Sequence, residues 1–311
     1  MHSYMWKSSH GESLHVRKWE CDEGTEETAV LQLVHGMGEH AGRYGELAAY
    51  LNASGVTVYG HDHRGHGKSV QESARMGHFA DQNGWKMVVE ETLELAQEIK
   101  NQHPNQPLIL LGHSMGFLIA HHALLARSVP LYNGVIYTGI VAHPGPLGRM
   151  GQLLARATAL FKGPQAPAQL MHQIQMKTYN RSFQPIRTEL DWLSRDPVEV
   201  DRYLGDPMCG AIGSAAFYRD MTDAAFRVYD PRNRPSIPSE LPYLLLAGGR
   251  DPVAGNGQSV SLLKQRLTEA GVTRVTAHIL DDMRHELFFE QQRTEVLHLI
   301  REWITHQVVG N

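Results

Sequence analysis

Gly112-His113-Ser114-Met115-Gly116 follows an apolar run, Pro107 to Leu111, and precedes a helix-like run, Phe117 to Arg127. That order reads as a strand, a sharp turn and a helix. A serine on such a turn has strained backbone angles, and its hydroxyl is held clear of the surrounding chain. Gly112 and Gly116 lack side chains, so the strand and the helix can approach closely around it. The Met115 amide then lies at a helix start, where backbone donors have no internal partner and favour negative charge.

The flanking sequence supplies an alternation of strands and helices. Ser3–Lys7 and Ser13–Trp19 alternate weakly about His10-Gly11 and predict an antiparallel hairpin. Thr28–Val34, Val56–Tyr59, Leu108–Leu111, Gly134–Val141, Tyr243–Ala247 and Val275–Leu280 read as short buried strands. Helical spacing falls at Arg43–Leu51, Trp85–Ile99, Ser259–Ala270 and, as one long closing helix, Glu286–Thr305. Such alternation predicts an α/β fold with a mostly parallel sheet and helices on both faces. Ligands then bind beyond the carboxyl ends of the strands, where Ser114 falls. The alternation stops between His143 and Ser236, a proline-containing stretch with no clear buried strand. This predicts a core of residues 1–142 and 237–311 and a mainly helical cap of residues 143–236. Asp191–Leu204 reads as one helical patch of that cap.

Bulk properties narrow the function classes. The chain has 311 residues, 42% of them hydrophobic, enough for a sizeable core. A net charge of -4 without long runs of one sign argues against nucleic acid as a partner. Cys21 and Cys209 lie far apart and imply no disulfide framework, which fits a reducing, cytoplasmic setting. The first residues lack an apolar signal core, and no stretch approaches the roughly 18 apolar residues of a membrane span.

Serine is a weak nucleophile until a base takes its proton, and a carboxylate usually orients that base. On this kind of elbow the chain order is serine, acid, histidine. Asp251 follows the Tyr243–Ala247 strand, and His285 lies between the last strand and the closing helix. Asp281 and Asp282 are rival acids, set close to His285 in sequence. His278 falls within a strand, and His298 and His306 within the final helix. The oxyanion formed during acyl transfer needs donors. The Met115 amide is one candidate. The second is the Met37 amide in His35-Gly36-Met37-Gly38, where the glycines permit an unusual backbone. His61, Asp62, His63 and His66 lack the spacing of a helix-borne zinc motif. That loop reads instead as packing beside the nucleophile, held by Asp62 and Arg64. No metal or cofactor is expected.

Several segments resemble the monoacylglycerol lipase and lysophospholipase group of α/β-hydrolases. His35-Gly36-Met37-Gly38-Glu39-His40 with Arg43-Tyr44 is similar to the group's oxyanion segment, and Asp62 to Ser69 to its next loop. Asp191 to Asp196 and Asp206 to Gly210 resemble cap segments of bacterial members. Asp251-Pro252-Val253 and Arg284-His285-Glu286 match its acid and base segments. The resemblance implies an α/β-hydrolase fold and a serine esterase acting on monoacylglycerols or related single-chain lipids. Lysophospholipid or short-ester hydrolysis is the alternative, and a non-catalytic ligand-binding homologue a more distant one. Two positions depart from the group: Phe117 stands where a further glycine is usual, and Ala41 where serine is common. Phe117, Leu154 and Phe161 are the expected pocket residues. Leu147, Met150, Leu154, Ala157 and Phe161 form a stripe read first as a cap helix packed on the core and lining an acyl pocket. Contact with a membrane surface is the second reading of that stripe. Nothing in the sequence sets the oligomeric state.

Overall fold

The computed structural model describes residues 1–70, 76–127 and 131–310. Eight strands form one sheet in the order β1-β2-β4-β3-β5-β6-β7-β8. β1 (His2–Lys7) and β2 (Ser13–Trp19) make the expected hairpin. β2 also runs antiparallel to β4 (Val56–His61). β3 (Ala29–Val34), β5 (Leu108–His113), β6 (Gly134–Thr138), β7 (Tyr243–Gly248) and β8 (Val275–Leu280) continue the sheet in parallel.

Alternate residues of each central strand feed opposite cores, as the period of two demands. Leu108, Leu110, Val135 and Tyr137 pack with α2 (Gly84–Gln102), α3 (Met115–Leu125) and α8 (Gln258–Glu269). Ile109, Leu111 and Ile136 pack on the other face with α1 (Gly45–Asn52) and α9 (Arg293–Ile304). Burial on both faces explains why these strands read as unbroken apolar runs.

The closing segment differs from its expectation. Instead of one helix from Glu286 to Thr305, a short 3-10 turn spans Leu287–Phe289 and α9 begins only at Arg293. The fully buried Glu290 carboxylate breaks the helix by accepting from the Arg284 amide at 2.8 Å and from Arg195 Nε at 3.0 Å.

Between β6 and β7 lie α4 (Gly145–Lys162), α5 (Gln169–Tyr179), α6 (Pro197–Gly205) and α7 (Ala215–Val228). The helix expected over Asp191–Leu204 starts late, at Pro197, where Asp196 caps the Val198 amide at 3.0 Å. Asp191 instead closes a turn by accepting the Thr188 amide at 3.1 Å. α4 contradicts the inward reading of its apolar stripe. Leu147 is 76% exposed, Met150 66% and Phe161 83%, Leu154 and Ala157 are half-buried, and the fully buried residue of the helix is Ala155, outside the stripe. The side facing α7 carries small residues: a Cβ on Gly148 would lie 2.1 Å from Pro144 Cβ and in ordinary contact, 3.4 Å, with Phe226.

One buried charge ties the hairpin to the loop after β4. Asp62, with no exposed surface, accepts from Arg17 Nη1 at 2.5 Å and from the Ala41 and Lys68 amides at 2.9 Å each. Replacing Asp62 by Ala leaves the Arg17 guanidinium buried and unpaired. We expect a loss of about 3–5 kcal/mol, read as a lower denaturant midpoint, against a barely shifted midpoint for Glu302→Ala, whose side chain is 44% exposed.

Candidate active site

Ser114 sits between β5 and α3 with φ 56° and ψ -118°, a region costly for a residue with a Cβ. The neighbouring glycines make this turn feasible. A Cβ on Gly116 would lie 1.9 Å from the Val34 carbonyl oxygen, and one on Gly112 2.6 Å from the Gly116 oxygen. The turn delivers the Ser114 hydroxyl to His285, with Oγ 2.9 Å from Nε2.

His285 lies on the loop after β8, and its Nδ1 is 2.8 Å from Asp251 Oδ2 on the loop after β7. A carboxylate only accepts, so Nδ1 carries the proton and Nε2 is free to receive one from serine. The other Asp251 oxygen accepts the Val253 amide at 2.8 Å, which fixes the carboxylate. Both side chains are buried. Burial alone would lower the His285 pKa, but the Asp251 charge and hydrogen bond outweigh it and hold it above its ordinary value. Asp281 and Asp282 are exposed, and it is Asp251 that meets the ring. His113 packs 4.9 Å from the His285 ring, and burial drives its pKa down to about 3, so it adds no positive charge near neutrality.

The loop after β3 approaches the same serine. A Cβ on Gly36 would sit 3.4 Å from Ser114 Cβ. The Gly36 amide donates to Glu39 Oε1 at 2.6 Å. Gly38, at φ +67°, presents its carbonyl to the Tyr203 hydroxyl at 2.6 Å and to the Gly210 amide at 2.8 Å. Met37 is partly buried between these anchors, and Met115 opens α3 with 1% exposure. His35 is fully buried against His63, ring centroids 4.0 Å apart.

A second layer of charge was not read from the residues themselves. Arg43 joins Glu39 at 2.6 Å and both oxygens of Glu286 at 2.6 and 2.8 Å, linking the Gly36 loop to the His285 loop. Its guanidinium lies 4.0 Å from the Phe289 ring centroid. Trp192 covers His285, centroids 5.1 Å apart. The only signal for these residues was the family-like spelling of Glu39, Arg43, Trp192 and Glu286.

The expected pocket residues are not brought together. Phe117 is fully buried in the core, edge-on to Tyr137 at 4.8 Å, so its bulk goes into helix–sheet packing. Leu154 is partly buried on α4, and Phe161 points to solvent at the end of that helix. His61 and His63 hydrogen-bond to each other at 3.2 Å within a packed stack. His40, Asp206 and Cys209 also cluster within 4.8 Å. There the Gly42 amide donates to His40 Nδ1, so Nε2 carries the proton and donates to Asp206 at 2.9 Å, a hydrogen bond and not a ligand set.

A mostly parallel sheet covered on both faces, with a nucleophile elbow and a serine–histidine–carboxylate line at its strand ends, defines a serine hydrolase of the α/β-hydrolase superfamily. Residues 25–292 match the family model Hydrolase_4, described as serine aminopeptidase, S33, and the chain belongs to that family. It is 30% identical to a monoacylglycerol lipase of Mycolicibacterium smegmatis, over 90% of this chain and 89% of the relative. It is 28% identical to the mouse monoglyceride lipase, over 96% and 89%. A carboxyl esterase structure from Bacillus coagulans superposes with a TM-score of 0.90 at 23% identity, covering 99% and 98%, which shows a shared fold.

The electrostatics make a measurable prediction. The His285 ring should titrate above the ordinary value near 6.5. Asp251→Asn removes the charge that raises it, so its midpoint should move down; histidine NMR titrations of both proteins check the sign.

Proposed function

We propose that this chain hydrolyses carboxylic esters through an acyl-enzyme on Ser114, with monoacylglycerols as the substrate class. The observation that carries the reading is the line from Ser114 Oγ to His285 Nε2 to Asp251, 2.9 and 2.8 Å long. In this reading Ser114 attacks the ester carbonyl while His285 takes its proton. Asp251 stabilises the imidazolium that forms. The Met37 and Met115 amides receive the oxyanion. As the tetrahedral adduct collapses, His285 protonates the leaving glycerol oxygen. It then takes a proton from water, which attacks the acyl-enzyme, and returns that proton to Ser114 Oγ as the fatty acid leaves. The residues need no cofactor for these steps. The mouse and mycobacterial relatives, named as lipases of monoglycerides, support the substrate class.

The helical insertion, residues 143–236, is read as a cap that seats transiently on a lipid surface. Leu147, Met150, Leu153, Leu160 and Phe161 of α4 face solvent, as do Leu170 and Ile174 of α5. From His143 to Thr188 the sequence holds Arg149, Arg156, Lys162, Lys177, Arg181 and Arg187 and no acidic residue. Arg156 and Arg187 pair with Asp223 and Asp201 outside the segment; the remaining cations beside an apolar face fit an anionic interface. No helix among the described residues is long and apolar enough to cross a membrane. The two cysteines are unpaired, which fits a cytoplasmic setting.

A panel of monoacylglycerols, lysophospholipids, short p-nitrophenyl esters and peptide amides tests the function. Monoacylglycerols of medium or long chain should give the highest kcat/KM, and Ser114→Ala should lose about 10⁴-fold or more in kcat. A preference for acetyl esters, for lysophospholipids or for amides would overturn the substrate assignment. Activity surviving in Ser114→Ala would overturn the mechanism. Separately, Leu153→Glu with Phe161→Glu should reduce flotation with phosphatidylglycerol vesicles at least fivefold while turnover of a soluble short ester stays within twofold.

A further inference from the structure

The peptide group between Gly36 and Met37 carries the amide that the proposed mechanism uses as an oxyanion donor. In a trans peptide the carbonyl and the N–H point in opposite directions. Whatever holds the Gly36 carbonyl therefore aims the Met37 N–H. In this structure the His35 ring holds it: Nδ1 lies 2.8 Å from the Gly36 oxygen. That oxygen only accepts, so Nδ1 carries the proton. Nε2 is consequently bare, and it accepts the His63 amide at 3.0 Å. Two independent bonds thus select the same neutral tautomer. The ring is hemmed in from outside as well, with the His63 ring tilted against it at 4.0 Å and the His66 ring at 5.5 Å, and His35 has no exposed surface. His63 Nε2 returns a bond to the His35 carbonyl at 3.2 Å.

The other anchors of the loop hold atoms on either side of this peptide. Glu39 takes the Gly36 amide, and Tyr203 and Gly210 take the Gly38 carbonyl. Gly36 gives that peptide a wide choice of ψ, and the carbonyl clamp from His35 selects its plane. No acceptor within the described residues takes the Met37 amide proton. A donor on the carbonyl oxygen also polarises the peptide and strengthens its N–H as a donor.

We propose that His35 is a positioning residue for oxyanion stabilisation, acting through the Gly36–Met37 peptide plane without touching substrate. This rests on the reading of Ser114 as nucleophile and the Met37 amide as oxyanion donor. The two amide analogues of histidine separate its two bonds. His35→Asn keeps a donor near the Nδ1 position; His35→Gln keeps a polar group near Nε2 and loses the clamp.

The experiment measures kcat and KM for a monoacylglycerol in both variants, per active site titrated with a fluorophosphonate. It also measures inhibition by a trifluoromethyl ketone of matching chain length, whose adduct carries the oxyanion. His35→Gln is expected to lose about 10²-fold in kcat with KM within threefold. Its trifluoromethyl ketone Ki should rise by a similar factor, and His35→Asn should recover at least tenfold of the kcat loss. A Gln variant with kcat per site within threefold of wild type overturns the proposal. So does an equal loss in both variants, or failure of both to give titratable protein, since each assigns His35 to the fold alone. A wild-type chain that turns over no ester overturns the hydrolase reading itself, and the two failures are told apart by that first measurement.

Discussion

The close approach of α3 to the end of β3 is the constraint on which the site depends. Gly116 lies where a Cβ would meet the Val34 oxygen at 1.9 Å. Only a bare backbone lets the helix start so near the strand. That contact puts Ser114 in its strained turn, with φ 56°, and brings the Gly36 loop beside it. A single methyl group at residue 116 would push apart the Ser114 turn and the Gly36 loop at once. The strain, roughly 1–3 kcal/mol, is offset by the two apolar cores that clamp β5 and α3 in place.

Around that turn the chain assembles the rest from the carboxyl ends of separate strands. β3 brings the His35–Gly38 loop, β5 the serine, β7 the acid and β8 the histidine. Loops at strand ends vary in conformation, so their geometry needs a second set of ties. Arg43 supplies one by bridging Glu39 and Glu286, and Tyr203 of α6 supplies another through the Gly38 carbonyl. Trp192 and Val253 belong to one small apolar cluster with Tyr203, so the helical insertion and the acid loop share packing. The insertion is thereby tied to the loops that hold the polar line.

Order along the chain was legible where local chemistry announces itself. Each central strand is an apolar run, each site loop follows a strand, and Ser114, Asp251 and His285 occur in the order that this elbow requires. What stayed hidden depends on which way a surface faces or on partners far apart in sequence. Periodicity located α4 but assigned its large apolar side to the core; the buried residue of the helix is the small Ala155, and Gly148 faces Phe226 of α7. Phe117 carries no sign of facing Tyr137 below the sheet rather than the substrate. Glu290 delays the start of the closing helix, because it satisfies Arg195 and Arg284 groups that come from other segments. The Arg43–Glu286 pair spans 243 residues, and no local pattern encodes such a bond.

The central claim is that His285, held by Asp251, activates Ser114. The most direct measurement is site-mapped labelling by a fluorophosphonate, with rates compared between wild type and His285→Ala. The account predicts one adduct, on Ser114, forming at least about 10³-fold more slowly when the imidazole is removed. Labelling at another residue, or at Ser114 with a rate indifferent to His285, would contradict it.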